Sequence, residues 1–310
     1  MNDSFSRVLS LIGLFIFCAQ VSLHAAQHRE LGEVKWLRDY NAALAQAGES
    51  GKPVLILFQE VPGCSGCQSY GQGTLSDPII VDAIEGNFVP LAIFNNKGGK
   101  DREVLEHYKE PAFNYQVMRF VDAKGKDIIP RHGNVWHVED TATLLAEALK
   151  AYQRPVPPYL TTVLPPSADQ NIQTAAFSMF CFWDGEAKLG GIAGVLETEA
   201  GWLEGREVVK LSFDANVISW SNLVLQAKAM GCAQHVYKPG DASLANYRKA
   251  KDSDQKRHLQ ASALRDMYLN NQQATKINAA LSKGDKNALE KWLSPSQWEQ
   301  ARKLLSDNGL

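Results

Sequence analysis

Lys52-Pro53-Val54-Leu55-Ile56-Leu57-Phe58-Gln59-Glu60-Val61-Pro62-Gly63-Cys64-Ser65-Gly66-Cys67 decides the fold of the first part of this chain. Five apolar residues after a proline predict a buried central strand over residues 54–58. The turn Val61-Pro62-Gly63 then delivers Cys64 and Cys67 to the start of a helix. Working outward, Leu37, Tyr40 and Leu44 recur at helical spacing and predict a helix over residues 33–47, broken by residues 48–52. Residues 88–94 read as a second strand. Residues 117–121 and 127–129 read as a hairpin, and residues 141–152 as a final amphipathic helix.

The alternation of strands and helices, closed by a hairpin and a helix, predicts an α/β domain with a thioredoxin-like sheet over residues 27–152. The chain has 310 residues, 45% hydrophobic and 21% charged, which is ordinary globular composition and long enough for two domains. A net charge of −2 and the lack of a long basic run give no reason to expect nucleic acid as a partner. Residues 153–169 contain five prolines and predict an extended, semi-rigid linker. Beyond it, the order strand, helix, two strands, helix over residues 170–250 predicts an α+β, ferredoxin-like second domain. Residues 251–310 are polar and helical, a C-terminal extension broken at Gly284 and Pro295.

The first 26 residues have the pattern of a secretory signal. Arg7 gives the positive start, residues 8–21 the apolar run, and Ala25 and Ala26 the small-residue cleavage site. The run is short for a membrane-spanning helix, which takes about 20 residues. Cleavage is therefore expected over a retained anchor, with a periplasmic or otherwise exported protein and no stable membrane insertion afterwards. Cys18 falls in this segment behind a bulky Phe17, which does not suit lipoprotein cleavage.

Cys64, Cys67, Cys181 and Cys232 remain, too few for a disulfide scaffold. Thiol–disulfide exchange needs a thiolate, and a cysteine in the first turn of a helix faces unpaired N–H groups that stabilise the anion. A second cysteine three positions on lies one turn further, within reach to close a small ring. Half a metal site and an inert disulfide are the other readings. No second cysteine pair completes a zinc site, the seven histidines are scattered, and a disulfide across two residues constrains little. Neither a metal nor a cofactor is expected.

Residues 52–67 with Asp77-Pro78 and Asn87-Phe88-Val89-Pro90 resemble the thioredoxin-like proteins of the VPGUxxT type, some of which carry selenocysteine. Val61-Pro62-Gly63-Cys64 matches that motif, so the resemblance implies that Cys64 attacks first. Two features depart from ordinary thioredoxins. Residues 54–58 carry no acid, and Tyr115-Gln116 stand where a proline facing the cysteine pair is expected.

Cys181-Phe182-Trp183-Asp184-Gly185-Glu186 ends a predicted strand and begins a helix. On its own, Cys181 could be a buried, inert thiol packed among aromatics. The stretch resembles the methionine sulfoxide reductase A signature, and residues 191–195, 201–202, 207–214 and 218–220 follow in that family's order. The resemblance covers residues 172–232, less than half of a full reductase domain. It implies that Cys181 attacks a sulfoxide sulfur, that Glu207 protonates or hydrogen-bonds the leaving oxygen, and that Phe182 and Trp183 hold the substrate methyl group. Trp202 stands at a tyrosine position, Phe180 replaces the glycine before the cysteine, and Gly205 replaces a histidine. Gly231-Cys232-Ala233-Gln234 occupy the place of a His-Asp-Pro-Thr segment. Tyr237 and Tyr247 are the candidates for a second catalytic tyrosine. Cys232 is either a buried thiol or a resolving cysteine for a sulfenic acid at Cys181.

Three functions fit these residues. One is an exported reductase of peptide methionine sulfoxide, with Cys181 catalytic and Cys64/Cys67 recycling it. The others are a general thiol–disulfide oxidoreductase whose second domain positions a partner, and a redox sensor. The expected partners are an oxidised protein or peptide and an upstream thiol electron donor.

Overall fold

The computed structural model describes residues 28–113, 116–167 and 169–307. The signal segment, Cys18 and Tyr115 lie outside the described residues. Among those described, no helix is long and apolar enough to cross a membrane.

The first unit runs α1 (Tyr40–Ser50), β1 (Val54–Gln59), α2 (Ser65–Gln72), α3 (Pro78–Asn87), β2 (Val89–Phe94), α4 (Lys100–Tyr108), β3 (Val117–Val121) and α5 (Val138–Ala151). Its sheet has the order β2-β1-β3, with β1 parallel to β2 and antiparallel to β3. Side chains alternate across a strand, so the apolar run of β1 feeds two cores at once. Val54, Ile56 and Phe58 pack with Ala43, Ala47, Val104 and Leu105 of α1 and α4. Leu55 and Leu57 pack on the other side with Ile80, Ala83, Leu145 and Ala148 of α3 and α5. This three-layer α/β arrangement is a thioredoxin-like fold, as expected.

Three expectations need local correction. The helix predicted over residues 33–47 begins only at Tyr40, capped by the Asp39 carboxylate. The residues before it are extended, and Leu37 bridges to Leu91, giving its N–H to Pro90 O and accepting from Ala92 N. The second hairpin strand over 127–129 is absent as a strand: only the bridges Val121↔Asp127 and Met118↔His132 remain. Asp127 is drawn instead into an ion pair with Arg119, which also binds the buried Glu110 at 2.9 Å. The proline-rich segment is docked rather than extended. It contains α6 (Pro158–Thr161), and Tyr159 and Leu160 are buried in the α3/α5 core.

The second unit contains β4 (Ile172–Ser178), α7 (Phe182–Gly190), β5 (Val195–Leu203), β6 (Arg206–Asp214), α8 (Trp220–Ala229), β7 (His235–Tyr237) and the short β8 (Arg248–Lys249). The sheet order is β7-β4-β6-β5-β8, antiparallel throughout. Its first four strands have the split βαβ order of a ferredoxin-like fold. The chain ends in α9 (Arg257–Gln260), α10 (Asn271–Lys283), α11 (Lys286–Trp292) and α12 (Pro295–Asp307), which share a core around Leu264, Ile277 and Ala301. Lys256 crosses back to α7, where its backbone N–H and ammonium both bind the fully buried Glu186. Asp82 of α3 accepts from the N–H and hydroxyl of Ser296, at 2.8 and 2.7 Å, tying α12 to the first unit.

Candidate redox site

Cys64 is the N-cap of α2 and is exposed; Cys67, inside the first turn, is buried. Their sulfurs lie 3.2 Å apart and both are free thiols. The Cys64 thiol is held below the usual thiol range, first by the backbone N–H of Cys67 and then by the Cys67 thiol. Burial, followed by the hydrogen bond to Cys64, pushes Cys67 up to about 11. The asymmetry makes Cys64 the more accessible and more readily ionised thiol of the pair.

Several residues that frame this pair were not singled out in the sequence. Glu60, just past β1, places a carboxylate oxygen within 4.8 Å of both sulfurs. Its influence is coulombic and raises both thiols. Glu30, buried, accepts from Gly63 N at 2.8 Å and so fixes the turn that presents the pair. Trp136 packs over Gly66, where an added Cβ would come within 3.1 Å of the indole. Gly71 is required by close packing of α2 on the segment carrying Glu30: a Cβ there would lie 2.0 Å from Arg29 O. Gln116, where a proline was expected, is buried at the end of β3, next in register beyond the pair Phe58↔Val117.

In the second unit, Cys181 is the N-cap of α7 and is partly exposed. Glu207 reaches it from β6: its Oε2 accepts from the backbone N–H of Phe182 at 2.8 Å. The placement follows from the β5–β6 hairpin. Glu204 and Gly205 both have positive φ, 51° and 75°, the pattern of a two-residue type I′ turn. This turn sets Trp202 directly opposite Glu207. Gly205 thus meets a backbone demand at the position where the reductase family has histidine. The Phe182 ring meets Trp202 edge-on at 5.6 Å and Trp183 at 6.1 Å. Cys181, Glu207, Phe182, Trp183 and Trp202 therefore form one cluster, with the two indoles about two-thirds covered. Phe180 is 89% exposed, so its side chain stands in solvent and does not crowd Cys181.

Cys232 is placed differently. It is buried in the core of the second unit, its thiol donates to Met230 O at 3.6 Å, and burial pushes it up. The charges acting on it are Lys188 and Asp184, further along α7, and no sulfur–sulfur contact joins it to Cys181 among the described residues. The two tyrosine candidates are engaged elsewhere. Tyr237 OH donates to Glu204, and Tyr247 OH donates to the carbonyls of Glu199 and Ala200.

Residues 35–123 match the family described as thioredoxin-like. A peptide methionine sulfoxide reductase MsrA from Methanococcus maripaludis strain C7 is 32% identical over 71 residues, covering 17% of this chain and 45% of that protein. The chain thus spans less than half the length of this curated relative. A solved structure of the DsbH oxidoreductase aligns with a TM-score of 0.33 and 18% identity, over 42% of this chain and 92% of that one. The first unit is a thioredoxin-like domain, and the sequence matches support an oxidoreductase in general.

Proposed function

We propose that this protein is an exported thiol enzyme that reduces peptide methionine sulfoxide at Cys181 and regenerates that thiol through Cys64 and Cys67. The observation that carries this reading is the hydrogen bond from Phe182 N to Glu207, which sets a carboxyl group beside a cysteine at a helix N-terminus. The Cys181 thiolate attacks the sulfoxide sulfur while Glu207 supplies a proton to the departing oxygen. The oxygen passes to Cys181, leaving a sulfenic acid and the thioether. Phe182, Trp183 and Trp202 offer an apolar wall for the substrate methyl group. The Trp202 indole N–H can donate a hydrogen bond but no acid proton, unlike the phenol of a tyrosine.

Return to the thiol takes two further electrons. A thiol condenses with the sulfenic acid to give a disulfide and water, and a dithiol then reduces that disulfide by direct attack. Cys64 has the exposure and the lowered thiol range for this attack, and it occupies the place where VPGUxxT-type proteins carry selenocysteine. Cys67 then resolves the mixed disulfide, and an external thiol donor reduces the Cys64–Cys67 pair. Cys232 would serve as resolving cysteine only after leaving its buried position.

The second reading is a general thiol–disulfide oxidoreductase, with the second unit positioning a partner. The burial of Cys232, with no sulfur–sulfur contact to Cys181 among the described residues, favours it. An N-capped methionine S-sulfoxide peptide and an excess of small dithiol distinguish the two. Thioether formation that vanishes in Cys181→Ser supports the reductase, and wild-type protein without turnover removes it.

A further inference from the structure

The sequence shows only two clustered cysteines, but the folded first unit brings a third donor to them. We propose that Glu60, Cys64 and Cys67 in the reduced protein form a binding site for one divalent thiophilic cation of the zinc type. The carboxylate and the two sulfurs all lie within 4.8 Å of one another, and the sulfurs are 3.2 Å apart. Metal–sulfur bonds of ~2.3 Å and metal–oxygen bonds of ~2.0 Å in a tetrahedron put the sulfurs ~3.8 Å apart and each sulfur ~3.5 Å from the oxygen. Small side-chain rotations close that difference, because the donors sit on a short, fixed path. Glu60 follows β1 directly, Cys64 caps α2, and Cys67 lies in its first turn.

Close packing fixes the donors. A Cβ at Gly63 would stand 2.5 Å from Glu60 O, 2.7 Å from Cys67 Cβ and 3.0 Å from its sulfur, so only a glycine lets the turn carry Glu60 against the pair. The Gly63 N–H is held by Glu30, which leaves the Glu60 carboxylate to the thiols, and no salt bridge among the described residues takes it. Two thiolates and a carboxylate match the ligand types zinc accepts, with water in the fourth position. Binding releases two protons from the two thiols and moves no electrons. Exchange of the pair with a partner disulfide, which takes the two electrons and leaves as two thiols, converts both sulfur ligands to a disulfide and frees the ion. The site would hold the dithiol reduced and silent until the cation is withdrawn. It needs only the reduced pair, so it stands apart from sulfoxide reduction.

The test is competition for Zn²⁺ between the reduced full-length protein and a chromophoric chelator at neutral pH, with alkylation of the bound and free protein mapped by mass spectrometry. The expected result is one equivalent of Zn²⁺ that protects Cys64 but not Cys181, with no uptake by the oxidised protein or by Cys67→Ser. Glu60→Gln and Glu60→Ala should each weaken binding about tenfold or more. The sign is decisive. A carboxylate that only neighbours the thiols opposes their ionisation, so its removal would leave binding unchanged or tighter. Unchanged or tighter binding in both variants, no stoichiometric uptake, or protection mapped to other cysteines overturns the proposal.

Discussion

The Oε2 atom of Glu207 accepts a hydrogen bond from the backbone N–H of Phe182 at 2.8 Å, one residue beyond Cys181. Two elements far apart in sequence, β6 and the start of α7, are thereby joined at the thiol. Glu207→Gln keeps an acceptor for Phe182 N–H but removes the acid. The fold should survive, and peptide sulfoxide reduction should fall about 10²–10⁴-fold, the usual worth of general acid catalysis. Steady-state thioether formation measures it. Loss of less than a factor of ten would assign Glu207 to structure alone.

Cys64 and Cys67 should separate cleanly in their reactivity. Cys64 ionises below the usual thiol range and Cys67 only toward about 11. After reduction, iodoacetamide near neutral pH should label Cys64 in preference to Cys67, and Cys67 should respond only as the pH climbs well past 9. Peptide mapping of the labelled protein checks the order. Preferential labelling of Cys67 would reverse the two roles.

Much of this arrangement was legible beforehand, for physical reasons. The run from Val54 to Phe58 is apolar on both faces because β1 is covered on both sides, so strand and three-layer fold follow together. The strand–helix–hairpin–helix order around Cys181 likewise announced the ferredoxin-like sheet, while the neighbours of Glu207 came from the resemblance to methionine sulfoxide reductase A. The rest depended on long-range packing. Glu60 lies beyond the apolar run and closes on the thiols only through the turn at Pro62 and Gly63. A carboxylate four residues before Cys64, at a strand end, was the available signal. The prolines of residues 153–169 concealed the apolar set Val156, Tyr159, Leu160, Val163 and Leu164, which docks on the first core. Cys232 follows an amphipathic helix, and nothing in its spacing told core from site.

Glu186 and Lys256 form the anchor of the C-terminal extension on α7. The carboxylate is fully buried, and the ammonium bonds it at 2.7 Å and also donates to Thr198 O. Removing one partner leaves the other charge buried and uncompensated. Glu186→Ala should therefore destabilise the second unit by about 3–5 kcal/mol. Urea unfolding followed by tryptophan fluorescence reads the shift. A change below about 1 kcal/mol would mean that the pair is solvated.

Gly71 should be intolerant of any side chain. A Cβ there meets the backbone of Arg29 and Glu30 at 2.0–2.8 Å, so the N-terminal segment must move away. Gly71→Ala should cost about 1–3 kcal/mol, the usual penalty of overpacking. It should also loosen the Glu30 hold on Gly63 and alter the alkylation rate of Cys64. Wild-type stability and an unchanged Cys64 rate would contradict that coupling.

The central claim is that electrons pass from Cys64 to the thiol that reduces sulfoxide, and one measurement addresses it directly. Disulfides exchange only by thiolate attack, and Cys67→Ser removes the thiol that would release the mixed disulfide. The reduced Cys67→Ser protein is mixed with a methionine S-sulfoxide peptide without added thiol, quenched in acid and digested for mass spectrometry. The account predicts one equivalent of thioether with an intramolecular disulfide from Cys64 to Cys181, or, if Cys232 resolves first, a Cys64–Cys232 disulfide that frees Cys181 for a second equivalent. Protein whose Cys64 stays free, or forms disulfides only with other molecules while Cys181 remains a thiol, would contradict it.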